Sequence, residues 1–236
     1  VKRIENIMKT IGLIGGMSWE STTVYYQLLN RMAREQLGGL HSARLLLWSF
    51  DFAEIEAMQA KGDWDGATRA MMDAARALER GGADCIVICT NTMHKMADAV
   101  QQAVKIPLIH IADATATAIK ASGSVRPLLL ATRYTMEQDF YKGHLRDNHG
   151  IETMVPDEAG RTLVHEIIYN ELCQGIIKPA SKQAYLDVVR QAQGEGADGV
   201  IFGCTEVGLL ISQTDFDLPV FDTTALHAKA ALDFAL

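Results

Sequence analysis

Ala197-Asp198-Gly199-Val200-Ile201-Phe202-Gly203-Cys204-Thr205-Glu206 is a short apolar run that closes on a glycine, a thiol, a hydroxyl and a carboxylate. A continuous apolar run of this length reads as a strand buried on both faces, the kind found in parallel sheets. An earlier stretch has the same shape: Ala83-Asp84-Cys85-Ile86-Val87-Ile88-Cys89-Thr90-Asn91-Thr92. Open α/β sheets place their chemistry at the C-terminal ends of such strands. Thr90 and Cys204 are therefore the first candidates, as two strand ends facing each other across a cleft.

Working outward, strands and helices alternate along the whole chain. Thr10–Ile14 reads as a first strand, Gly15-Gly16-Met17 as a turn, and Ser18 as the cap of a helix to about Leu37. The two glycines permit either a tight strand–helix turn or close backbone approach to a ligand. They do not make GxGxxG, so a dinucleotide site has little support. Ala43–Phe50 is a second strand, followed by a short helix to about Lys61 and a long helix capped by Asp63. After the Asp84–Cys89 strand comes a helix over Asn91–Val104, then a strand at Pro107–Ile111 and a helix capped by Asp113. Leu128–Ala131 is a strand ending at Thr132, with a helix over Tyr134–His149 behind it. Glu152–Val155 reads as a short strand stopped by Pro156. Helices over Arg161–Gln174 and Pro179–Gly194, strands at Val200–Gly203 and Leu218–Phe221, and a closing helix from Thr223 complete the pattern.

Three segment pairs recur in the same order at a shift of about 112 to 117 residues. Ile11–Ile14 matches Leu128–Ala131, Ala83-Asp84 matches Ala197-Asp198, and Ile106–Ile109 matches Asp217–Val220. The expected fold class is α/β: two similar parallel-sheet lobes related by a pseudo-twofold axis, with the active site in the cleft between them. Lobe 1 is read as beginning with residues 8–105, and lobe 2 as residues 106–211. Two strand ends opposed in this way suit moving a proton off one face of a carbon and onto the other.

The totals remove several classes of function. The 236 residues carry a net charge of −7 and show no basic stripe, so nucleic acid is not expected as a partner. No apolar run is long enough to span a membrane, and the first eight residues lack the apolar core of a signal peptide. Met8 reads as the natural start, since patterned sequence begins at Lys9. Cys85, Cys89, Cys173 and Cys204 have neither zinc-ribbon nor disulfide-scaffold spacing, which points to reduced thiols in the cytoplasm. No HxxE or HxH pair suggests a metal, and His94, His110 and His227 read as structural.

Together, Lys9–Ser18, Cys89-Thr90-Asn91-Thr92-Met93-His94 and Gly203-Cys204-Thr205-Glu206 resemble the pyridoxal-phosphate-independent aspartate/glutamate racemases, over nearly all of residues 8–236. The likeness is greatest to the branch specific for L-aspartate and L-glutamate, some of whose members have broad specificity. The resemblance implies a small amino-acid substrate, no cofactor, a homodimer, and a final helix that returns to the first lobe, so that lobe 1 is residues 8–105 plus 212–236. It also implies two catalytic cysteines. One falls on Cys204; the other falls on Thr90, because Cys89 lies one residue too early and faces the other way. An arginine is missing from Asp51–Gln59, and Cys173 stands where a lysine would, so strict aspartate specificity does not follow.

On this reading Cys204 is the base, its thiol slightly depressed by nearby helix N-termini. Thr90, a far weaker acid, donates a proton or positions water. Initial rates should then favour the L enantiomer. Backbone amides of Asn91, Thr92, Thr205 and Glu206 are read as holding the α-carboxylate, with Met17, Ser18 and Thr132 as further contacts. Gln59 and Glu171 are read as facing the substrate side chain. The rival readings are an arylmalonate-type decarboxylase, which uses one cysteine among hydroxyls, and a non-catalytic amino-acid-binding module.

Overall fold

The protein's architecture comes from a computed structural model describing residues 8–236; the status of residues 1–7 lies outside the described residues. In chain order the elements are β1 (Ile11–Gly15), α1 (Trp19–Leu37), β2 (Leu45–Ser49), α2 (Phe52–Lys61), α3 (Trp64–Arg80) and β3 (Cys85–Ile88). A 3-10 turn over Thr92–Met96 leads into α4 (Ala97–Ala103), β4 (Leu108–Ile109), α5 (Ile111–Ser122) and β5 (Leu128–Ala131). Then come α6 (Arg133–Glu137), α7 (Asp139–His149), α8 (Glu158–Asn170), a 3-10 turn over Leu172–Gln174, and α9 (Pro179–Gly194). The chain closes with β6 (Val200–Gly203), α10 (Val207–Leu210), β7 (Val220–Asp222) and α11 (Thr223–Ala235).

Contacts divide the chain into two compact units. Unit 1 holds the chain up to Cys89, Met96–His110 and His227–Leu236; unit 2 holds Thr90–Lys95 and Ile111–Leu226. Unit 1 has a parallel sheet in the order β2-β1-β3-β4, and unit 2 one in the order β5-β6-β7. Pairing puts β4 beside β3 and β7 beside β6, so residues 106–110 cluster with unit 1 and 212–226 with unit 2, unlike the lobe limits drawn from the sequence.

The repeat is visible in individual hydrogen bonds. Asp84 accepts from the Thr10 amide just before β1 (2.7 Å), and Asp198 accepts from the Val125 and Arg126 amides just before β5 (2.8 and 2.9 Å). The Pro107 carbonyl accepts from Ile86, and the Pro219 carbonyl accepts from Val200, each at 2.9 Å. The Asp198 carboxyl is pushed up by burial, but the Ser124 hydroxyl and the two amides outweigh that and hold it below its ordinary range. One member of the repeat is reduced. The strand expected at Glu152–Val155 is a single parallel bridge, Met154 to Leu128, at the position that β2 holds beside β1.

Other departures are local. The helix expected over Tyr134–His149 is two helices, because Gln138 is extended at ψ 155°. Asp113 does not cap α5, which starts at Ile111; it sits in the first turn and accepts hydrogen bonds from His144 and His149. Ser18, Asp51 and Asp63 do cap α1, α2 and α3. Gly16 has φ +82°, and a Cβ there would lie 2.2 Å from the Phe50 carbonyl oxygen. Tight packing against the chain itself thus explains this glycine without any ligand.

Unit 1's core brings Ile11, Leu13, Cys85, Val87 and Cys89 together with Ala228, Ala231 and Leu232 of α11. His227, fully buried on that helix, accepts from the Tyr25 hydroxyl at Nδ1 (2.8 Å) and donates from Nε2 to the Ile109 carbonyl (2.7 Å). Burial lowers its pKa to about 4. The folded state therefore keeps this imidazole neutral while the unfolded chain protonates it near pH 6.5. Its contribution is complete above about pH 6.5 and is lost as the pH falls towards 4, by roughly 3 kcal/mol. Urea unfolding at pH 7 and pH 4.5 should show that loss in the natural protein and a flatter profile in His227→Gln. Parallel losses in both proteins would remove His227 as the cause.

Candidate active site

Three adjacent strands of unit 2 end in polar groups on the same edge of their sheet: β5 in Thr132, β6 in Cys204, and β7 in Asp222 followed by Thr223. The loop Thr90–Lys95, which follows β3, clusters with this unit. Hydrogen bonds tie it there. The Asn91 amide donates to Thr223 Oγ1 (3.0 Å), and that hydroxyl donates to the Phe202 carbonyl on β6, two residues before Cys204 (2.7 Å). The hydroxyls of Thr92, Thr132 and Thr135 form a buried triangle with sides of 3.0, 3.2 and 3.3 Å. His94 holds the Thr90 backbone. Its Nε2 accepts from the Ile111 amide (3.2 Å), so its Nδ1 carries the proton given to the Thr90 carbonyl (2.8 Å).

Cys204 has a close partner two residues away. Its thiol donates to Glu206 Oε2 at 3.0 Å, and Glu206 is buried. The thiol is raised well above its ordinary range, first by burial and then by the Glu206 charge; the Glu206 backbone amide pulls the other way. This reverses the expected depression. The helix that follows, α10, is only four residues long and brings a small dipole, whereas desolvation acts on the whole charge of a thiolate. The resting site is thus a protonated thiol aimed at a carboxylate. Cys85 and Cys89 belong to the core of unit 1; burial pushes Cys85 up to about 12 and raises Cys89 further, as expected of inert thiols.

Other predicted residues fall into two groups. Thr90, Asn91, Thr92, Thr132, Glu171, Cys204, Thr205 and Glu206 all belong to unit 2, whereas Met17, Ser18 and Gln59 belong to unit 1. Ser18 caps α1, and Met17 and Gln59 are buried. Thr205 accepts from the Thr224 hydroxyl (3.2 Å). Glu171 closes α8, and its carboxylate is held by Ser181 (2.5 Å) and Lys178 (3.1 Å); those bonds, led by that from Ser181, keep it below the usual carboxylate range. Sequence reasoning missed Thr135, Thr223, Tyr185 and the side chain of Glu206. Thr223 was within reach of the strand-end rule, as the residue just after β7. Tyr185 was not: it sits mid-helix, fully buried, donating to the Val164 carbonyl (3.2 Å), and burial above all keeps its hydroxyl protonated.

Asn91 supplies a further feature. Its Nδ2 is spent on Thr223, and its Oδ1 is buried with no hydrogen-bond partner. A buried acceptor left unpaired costs roughly 1–3 kcal/mol, so this oxygen is suited to a donor brought from outside.

Residues 14–231 match the family described as Asp/Glu/Hydantoin racemase. The chain belongs to this family. It is an isomerase of the amino-acid racemase class. A Bacillus subtilis protein named broad specificity amino-acid racemase RacX is 27% identical over 173 residues, 72% of this chain and 73% of that protein. A Yersinia pestis crystal structure, provisionally described as an Asp/Glu racemase, is 55% identical with a TM-score of 0.91, covering 97% of this chain and 99% of that one. The structure of an aspartate racemase homologue from Pyrococcus horikoshii is 36% identical with a TM-score of 0.85, again over 97% and 99% of the two chains.

Proposed function

We propose that this racemase acts on L-aspartate, L-glutamate or a related small polar amino acid, with Cys204 as the base that removes the Cα proton and Thr90 as proton donor for the opposite face. The observation that carries the reading is the Cys204 thiol directed at the buried Glu206 carboxylate. Glu206 can take the thiol proton when the substrate ammonium enters and stabilises the thiolate; the pair keeps its single negative charge throughout. The orphaned Asn91 Oδ1 is then the natural acceptor for that ammonium. Backbone amides at Asn91, Thr92, Thr205 and Glu206 serve the α-carboxylate and the enolate it becomes. The hydroxyls of Thr92 and Thr132 satisfy each other and Thr135, so their part is to fix the loop. Met17 and Ser18 remain further substrate contacts in this reading. Gln59 and Glu171 face the substrate side chain, the latter together with its partner Lys178.

The test is deuterium incorporation at Cα in heavy water, followed by NMR, for L- and D-aspartate, glutamate and homoserine. Incorporation with loss of optical purity is expected for at least one pair. Release of carbon dioxide from an arylmalonate without any such exchange would replace this reading with the decarboxylase. Binding without exchange would leave an amino-acid-binding module.

Four cysteines without the spacing of a disulfide scaffold fit a reducing compartment, and we place the enzyme in the cytoplasm. We assign the homodimer contact to unit 1. β2 is an edge strand with Leu47 and Trp48 exposed, and Trp19, Tyr26 and Leu37 of α1 are exposed as well. Leu47 points to the α1 side of the sheet, since a Cβ on Gly15 would meet both Leu47 and Thr22. Unpaired edges and apolar patches of this kind are normally covered. Light scattering should show a dimer that Leu47→Glu converts to monomer; a monomeric natural protein would remove the assignment.

A further inference from the structure

Unit 2 carries a second cluster of reactive side chains, on α5 and α7, that the racemase chemistry does not use. Asp113 Oδ1 is 2.6 Å from His144 Nε2 and 2.7 Å from His149 Nε2. The two imidazoles lie 5.8 Å apart, centroid to centroid, at an interplanar angle of 38°. Their side chains are 23% and 21% exposed, and that of Asp113 is 53% exposed, so solvent and small ions reach the group. We propose that Asp113, His144 and His149 form a binding site for a divalent transition-metal cation of the zinc type.

The convergence is the unusual part. Residues five apart on a helix point about 140° away from each other, so His144 and His149 would not share a target on α7 alone. They do so because His149 is the last residue of α7 and Asp113 reaches both from the first turn of α5. Two imidazole nitrogens and one carboxylate oxygen are the donor set that borderline cations such as Zn²⁺ prefer. In the metal-free form each Nε2–H donates to the same oxygen. A cation replaces those two bridging protons, the imidazoles take the Nδ1–H tautomer, and the donors settle about 2.0–2.2 Å from the metal. The Nε2 atoms of His144 and His149 lie 2.6 and 2.7 Å from that oxygen, and closing on a cation draws the two imidazoles together. Water completes the shell, so the site braces α7 against α5 and leaves the racemase residues untouched.

The experiment uses the full chain, stripped with EDTA and desalted, and titrated with zinc chloride by calorimetry and with cobalt chloride by visible spectroscopy. One ion per chain is expected, with affinity at least tenfold weaker in His144→Gln and in His149→Gln. Both variants should keep the natural circular dichroism spectrum and racemase activity. The cobalt complex should show d–d bands without a thiolate charge-transfer band. Absence of saturable binding, binding equal in the natural protein and both variants, or a thiolate band placing the ion on a cysteine would each overturn the proposal. In any of those cases the cluster is a hydrogen-bonded brace.

Discussion

Cys204→Ser should abolish Cα–H exchange, with turnover down by at least about 10³-fold, within the range a positioned acid–base group supplies. The replacement keeps shape and a hydrogen bond to Glu206 but makes the proton-bearing group far too weak an acid to ionise at neutral pH. Substrate binding should survive, because the proposed carboxylate and ammonium contacts come from other groups. On the proposed roles Thr90 makes the site asymmetric, and the form of that asymmetry is constrained. The two enantiomers have an equilibrium constant of one, so kcat/KM must be equal in both directions, and a single shared transition state enforces it. The imbalance expected from the sequence is therefore sought in deuterium wash-in. Unreacted L-substrate should gain deuterium through Cys204 faster than it racemises, while unreacted D-substrate should gain little. Thr90→Cys should raise racemisation relative to wash-in. Equal wash-in for both enantiomers in the natural enzyme, or residual full exchange in Cys204→Ser, would remove the roles assigned here.

Glu206→Gln is the second large effect, expected in both the height and the position of the pH profile. The thiol is held up first by burial and next by the Glu206 charge. Thiolate formed by loss of the proton to solvent accumulates only as pH rises and adds to the pH-independent transfer within the Cys204–Glu206 pair, so kcat/KM should climb with pH through and beyond the ordinary thiol range. Removing the carboxylate charge lowers the thiol pKa, so the rising limb moves to lower pH. The same change removes the acceptor of the thiol proton at 3.0 Å, and the plateau should drop by about 10²-fold. A limb that does not move would mean that Glu206 does not face the thiol in the working enzyme. Retention of the full plateau would mean that it does not take the proton.

Most of the architecture was legible because its signals are local. Buried runs such as Val200–Gly203, caps such as Ser18, Asp51 and Asp63, and the glycine turns each act within a few residues. The repeat was legible for the same reason, since Asp84 and Asp198 precede equivalent strands. Where a local signal was weak it failed: Asp113 resembled a cap, and Met154 supplies one bridge where a strand was expected. Thr90 and Cys204 were singled out by their place at strand ends, which a linear pattern reveals.

Tertiary structure alone decided the electrostatics and the long-range partners. Asn91 and Thr223 are 132 residues apart in the chain, and only folding joins them and leaves Asn91 Oδ1 without a partner. The direction of the Cys204 shift depends on how much protein surrounds the thiol, a quantity that sequence neighbours do not encode and that overrides the short helix beyond it. His144 and His149 likewise share a partner only because folding brings Asp113 of α5 between them. The sequence by itself determined which residue types stand at the strand ends, because backbone periodicity is a local property. The fold decided which charges those residues meet and how far water is excluded from them, because burial and Coulomb interaction depend on distance in space.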